Sequence, residues 1–85
     1  MHEWNEAKRR LNVQRHGVDF SAIESFVWEE ARVLEDMRKD YGEPRFRAIG
    51  PINGRMHCLA FTVRGDNIRL ISLRKANTKE IKAHG

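Results

Sequence analysis

The chain has 85 residues, 40% hydrophobic and 33% charged, with a formal net charge of +4. That length supports one compact core, hence a single domain over 1–85, and the apolar share excludes wholesale disorder. The single cysteine, Cys58, excludes an internal disulfide, and no apolar run approaches the roughly 18 residues that span a bilayer.

The polar start MHEWNEAKRR does not read as a signal peptide, so a cytoplasmic protein without a membrane partner is expected. Residues 5–16 read as a helix. Asn5 can cap it, Trp4, Ala7 and Leu11 recur at helical spacing, and Gly17 supplies a left-handed terminator. Its other face, with Lys8, Arg9, Arg10, Asn12 and Arg15, is strongly basic. A second helix is expected after VDF, with Ser21 and Glu24 as a capping box and Ile23, Phe26 and Val27 as its apolar stripe.

Near Ala31 the pattern changes. ARVLE reads as a first strand, and 44–50, 55–63 and 68–74 read as three more, joined by turns at Asn53-Gly54 and Gly65-Asp66. Asn77 and Glu80 form a capping box that opens a short C-terminal helix. The order predicts an α+β fold: an antiparallel sheet, two N-terminal helices on one face and the other face partly open.

Charge follows these elements. Residues 1–43 carry 7 Lys/Arg against 10 Asp/Glu, whereas 44–85 carry 9 against 2. A positive field concentrated on the strands suits an anionic partner, nucleic acid foremost, although a solvated basic face gives the same count. Period-two alternation puts Arg45 and Arg47 on one face, and Arg55 and His57 on one face with Arg64 opposed. It places Arg69 and Arg74 on opposite faces unless a bulge intervenes. His16 is either a proton donor or a partner for the end of its helix, and His57 either a base or a half-buried strand residue. Cys58 reads as a small core residue, and Trp4 and Trp28 as core or interface. The four histidines, His2, His16, His57 and His84, are scattered, so no metal or cofactor is expected.

The motifs W-x-E-A-K (4–8), N-x-x-R-H-G-V-x-F (12–20), R-F-R-A-I-G (45–50), T-x-R-G (62–65) and I-R-L-I-S-L-R-x-A (68–76) resemble the BrnT family of toxins from bacterial type II toxin–antitoxin modules. Arg15 stands where the family commonly has lysine, and Phe61 where histidine or tyrosine is frequent. The resemblance implies a RelE-like α+β fold and a ribonuclease that inhibits translation, acting either free or on the ribosome. It also implies neutralisation by a BrnA-type antitoxin carrying a ribbon-helix-helix DNA-binding module. The chemistry expected is metal-free attack of the RNA 2′-hydroxyl on the adjacent phosphate. Arg74, Arg64, Arg45 and His16 are the candidate catalytic residues. Arg47, Arg55, Arg69, Lys8 and His57 are the candidate RNA contacts. A non-catalytic RNA-binding or protein-interaction module is the alternative.

Overall fold

The computed structural model describes residues 1–38 and 40–84. Five strands form one sheet: β1 (His2–Glu3), β2 (Arg32–Glu35), β3 (Phe46–Ile52), β4 (Arg55–Arg64) and β5 (Asn67–Lys75), in the order β1-β5-β4-β3-β2. The helices are α1 (Glu6–His16) and α2 (Thr78–His84). The α+β class stands, but two details of the expectation do not. The sheet is mixed, because β1 lies parallel to β5. In place of a second N-terminal helix there are two 3₁₀ segments, Phe20–Ser25 and Trp28–Glu30.

The second difference has a local cause. Asp19, not Ser21, caps the segment, accepting from the Ser21 N–H at 2.9 Å, and Glu24 instead approaches His2. The aromatic and β-branched run Phe26-Val27-Trp28 then favours extended backbone. Phe26 bridges to Ile52, and the Val27 N–H donates to the Pro51 carbonyl, so the chain leaves the helical path to follow β3.

Other local signals are realised. Asn5 caps α1 by accepting from the Lys8 N–H, and Gly17 ends it at φ 70°. Asn53 and Gly54 both have positive φ, 49° and 81°, as a type I′ hairpin requires. The α1 stripe is different. Ala7 is exposed and Leu11 is 43% exposed, while the buried residue of α1 is Asn12. This helix lies along the edge of β5 and docks by hydrogen bonds rather than by an apolar face.

The main core fills one side of the sheet. Phe20, Ile23 and Phe26 pack against Ala48, Leu59, Phe61, Leu70 and Leu73. Full burial of Phe, Ile or Leu contributes about 1.5–3 kcal/mol each. Trp4 meets Phe20 edge-on, and Trp28 meets Phe26 and Phe61, so both tryptophans belong to this layer. Gly50 makes the approach possible: a Cβ there would lie 2.8 Å from the Ala31 Cβ and 2.9 Å from the Phe26 ring. Gly50→Ala is therefore expected to destabilise the fold by about 1–3 kcal/mol. A thermal melt checks this, and an unchanged midpoint would mean that the 26–31 segment yields freely.

One irregularity decides the other face. Ala60 pairs with Ser72 and Phe61 with Leu70, so Ile71 is an extra residue bulged out of β5. The bulge reverses the parity on one side of it. Arg69 stands opposite Thr62 and Arg74 opposite Cys58. Thr62 and Cys58 share a face, so Arg69 and Arg74 share it too.

Candidate functional site

The register assembles arginines from four strands on the sheet face opposite the main core. Arg47 stands beside Leu34 and Ala60, and Ile49 beside Arg32 and Cys58. Arg64 has the parity of Cys58 and Thr62, and Arg45 precedes β3 with the parity of Arg47. Six guanidinium groups, from Arg32, Arg45, Arg47, Arg64, Arg69 and Arg74, therefore border one surface. Its middle row, Arg47-Ala60-Ser72, is only partly covered.

At one end α2 crosses the face, and a second small cluster of Ile49, Cys58, Ala76 and Met56 lies there. Arg74 donates through Nη1 and Nη2 to the two carboxylate oxygens of Glu80, at 2.8 and 2.7 Å. Glu80 also accepts from the Asn77 N–H, while Asn77 Oδ1 accepts from the Glu80 N–H, which is the capping box the sequence predicts. Among the described residues the Nε–H of Arg74 and the second hydrogen of its Nη2 have no acceptor, so one edge of the guanidinium is left open to a ligand. Burial pushes the Cys58 thiol pKa up, against the fields of Arg74 and Arg47. This agrees with an inert core residue.

The Glu80 carboxyl is pushed down to about 2. Its hydrogen bonds from Arg74 are the largest cause, opposed by desolvation and helped by the Asn77 N–H and the Arg47 field. A folded pKa below the ordinary value of 4.5 means a stabilising contribution that is full above that value and fades as pH falls toward about 2. Acidification through that window should therefore loosen α2. Protection factors of the amides in 78–84, corrected for the intrinsic pH dependence of exchange, should fall, and Glu80→Gln should remove the pH step. Identical protection factors at pH 6 and pH 2 in the parent would show that the pair does not hold the helix.

At the other end, Arg45 and Arg64 straddle the Glu43 carboxylate at 3.8 and 3.7 Å. The Arg45 guanidinium lies over the Tyr41 ring, 4.1 Å from its centroid. Its Nε is the one buried side-chain polar atom without a hydrogen bond among the described residues, a feature that in folded proteins calls for a functional or structural reason. Asp36 organises the loop beneath, accepting from Arg38 and from the Tyr41 hydroxyl. The Arg38 bonds hold its carboxyl well below the usual range.

The remaining candidates separate. Arg69 pairs with Glu3 of β1 at 3.3 Å. Lys8 and His16 line a cleft of about 200 Å³ between α1 and the bulge, together with Arg15, Ile71 and Ser72. That cleft meets the arginine face at Ser72. Arg55 and His57 do not join it. Arg55 is exposed near the hairpin, and His57 is buried on the main-core side with Nδ1 2.7 Å from the Arg55 carbonyl oxygen. Sequence reasoning missed Glu43, Glu3 and Glu80 as arginine partners, and Arg32 as a member of the face. Of these, only Glu80 carried a signal, its place in the capping box. No group of three or more His, Cys, Asp or Glu side chains among the described residues is placed to share a metal ion.

The chain is thus a small α+β domain with a basic, half-covered sheet face. The comparison with protein families is more specific. Residues 4–80 match the model of the ribonuclease toxin, BrnT, of type II toxin–antitoxin systems, and the chain belongs to that family. No curated protein matches it.

Proposed function

We propose that this chain is a metal-independent endoribonuclease that arrests translation until a BrnA-type ribbon-helix-helix antitoxin covers it, and that it acts in the cytoplasm. Family membership supplies the ribonuclease class and the antitoxin partner. The observation that carries the reading further is the β5 bulge, which turns Arg69 to the face already holding Arg74, Arg45, Arg47 and Arg64. RNA lies across this face. The free edge of Arg74 grips the non-bridging oxygens of one phosphate, and Arg45 and Arg64 hold a neighbouring one.

The 2′-hydroxyl gives its proton to solvent water as its oxygen attacks the adjacent phosphorus, the bond to the 5′-oxygen breaks, and a 2′,3′-cyclic phosphate and a 5′-hydroxyl result. His16, at the cleft that opens on the face, returns a proton to the leaving oxygen, with Lys8 as a phosphate contact beside it. Arg55 and His57, away from the face, have structural roles on this reading.

Purified protein incubated with RNA in the presence of a chelator should yield fragments ending in 2′,3′-cyclic phosphate. Binding should weaken steeply with salt, by about −0.7 in log K against log salt for each phosphate neutralised. RNA retarded in a gel but left intact would instead make the chain a non-catalytic RNA-binding module. Cleavage only after added divalent metal would overturn the mechanism.

A further inference from the structure

We infer that the cavity between the β2–β3 edge of the sheet and α2 is a nucleotide subsite, seating the base and phosphate of one RNA residue next to the phosphate held by Arg74. The inference rests on the ribonuclease reading and adds where base recognition occurs. The cavity measures about 360 Å³, within the usual range of small-molecule sites, roughly 300–1,000 Å³. Its floor is built by two neighbouring strands in register. Leu34 stands beside Arg47 and Ile49 beside Arg32, so apolar and cationic groups alternate like a chequerboard. A flat base can lie on Leu34 and Ile49 while its phosphate meets a guanidinium.

Arg47 is the observation that points to a ligand. Of the six arginines on this face, Arg45, Arg64, Arg69 and Arg74 have carboxylate partners, and Arg32 donates to the Ala83 carbonyl at 2.9 Å. Arg47 alone has no protein acceptor among the described residues, although it is half-buried. The field of Arg47 reaches Glu80, but its guanidinium N–H groups, partly withdrawn from water, are left to be satisfied by an incoming anion. Lys79 adds a second cation at the rim.

The walls also stand without a ligand. His84 Nε2 donates to the Glu30 carbonyl at 2.8 Å, and with the Arg32 bond this pins the far end of α2 as Arg74 and Glu80 pin the near end. With its proton on Nε2, the His84 ring keeps Nδ1 as an acceptor for a base amino group.

The test is a backbone-amide NMR titration of the full chain with the four nucleoside 5′-monophosphates and, separately, inorganic phosphate. Nucleotides should shift resonances in 32–34, 47–49 and 79–84, in a pattern that depends on the base. Leu34→Ala, on an exposed edge strand, should weaken nucleotide binding roughly tenfold without affecting phosphate. Arg47→Ala should weaken both. Nucleotide and phosphate spectra that coincide, or nucleotide shifts confined to other residues, would overturn the subsite. RNA cleavage by the same preparations separates the two claims. Cleavage without base-dependent shifts overturns the subsite alone, and base-dependent shifts without cleavage overturn the ribonuclease reading alone.

Discussion

Arg74→Ala should reduce RNA cleavage by about 10²–10³-fold, the loss typical when one preorganised charge-stabilising group is removed, and growth arrest should disappear with it. Glu80 occupies the two terminal nitrogens of Arg74, which fixes the plane of the guanidinium and leaves the Nε edge for phosphate. Arg74→Lys keeps the charge but cannot hold Glu80 and a phosphate with two hydrogen bonds each, so most of the activity should still be lost.

Stability should change as well. Removing Arg74 leaves a Glu80 side chain only 12% exposed without its cation. About 1–2 kcal/mol is the expected cost for such a rim pair, or roughly 4–8 °C of melting temperature per kcal/mol in a domain this small. The sequence alone suggests a stability-neutral substitution, because the partner is invisible until α2 folds back over β5. The double variant Arg74→Ala/Glu80→Ala separates the two effects: it should recover part of the stability and none of the cleavage. If Arg74→Ala folds and still cleaves RNA at the parental rate, the phosphate grip lies elsewhere on the face.

What could be read from the sequence was local chemistry. Asn5 before α1, Asn53-Gly54 between β3 and β4, and Asn77 with Glu80 before α2 act over four residues or fewer, and each sits where expected. Three features depended on distant partners and could not be read. A two-residue β1 exists only because β5 offers it an edge. The 20–30 segment prefers β3 to helix because Phe26 and Val27 find Ile52 and Pro51. The third is the extra residue Ile71, and it matters most for the site, because counting by twos fails at a single insertion. That arginines from several strands would meet on one face was therefore legible in IRLISLR and RFRAIG, but that Arg69 joins Arg74 there was not. The carboxylates that hold them, Glu3, Glu43 and Glu80, come from three separate stretches of chain.

Asn12→Ala should be the most destabilising single change on the α1 side of the molecule, by about 2–4 kcal/mol. The outer edge of β5 is paired by β1 only at Ile68 and Arg69. Further along, the Asn12 amide replaces a neighbouring strand: its Nδ2 donates to the Leu73 carbonyl at 2.7 Å, and its Oδ1 accepts from the Leu73 N–H at 3.1 Å. Nδ2 also donates to the Val18 carbonyl at 2.9 Å, tying the chain after α1 to the same point. Asn12 is 5% exposed, and alanine would leave a buried N–H and two carbonyls without these bonds, at about 1–3 kcal/mol for each group that water cannot reach. Asn12→Asp should be no better near neutral pH. A carboxylate can accept from the Leu73 N–H, but its other oxygen then faces two carbonyl oxygens in a site closed to water. Uncovering the edge beside the Ile71 bulge should also promote association through β5, the usual hazard of an unprotected strand. Thermal melts of the two variants, with light scattering at the midpoint, check both parts. A melting temperature in Asn12→Ala equal to the parent's would show that α1 is held by its packing and that the amide pairing is incidental.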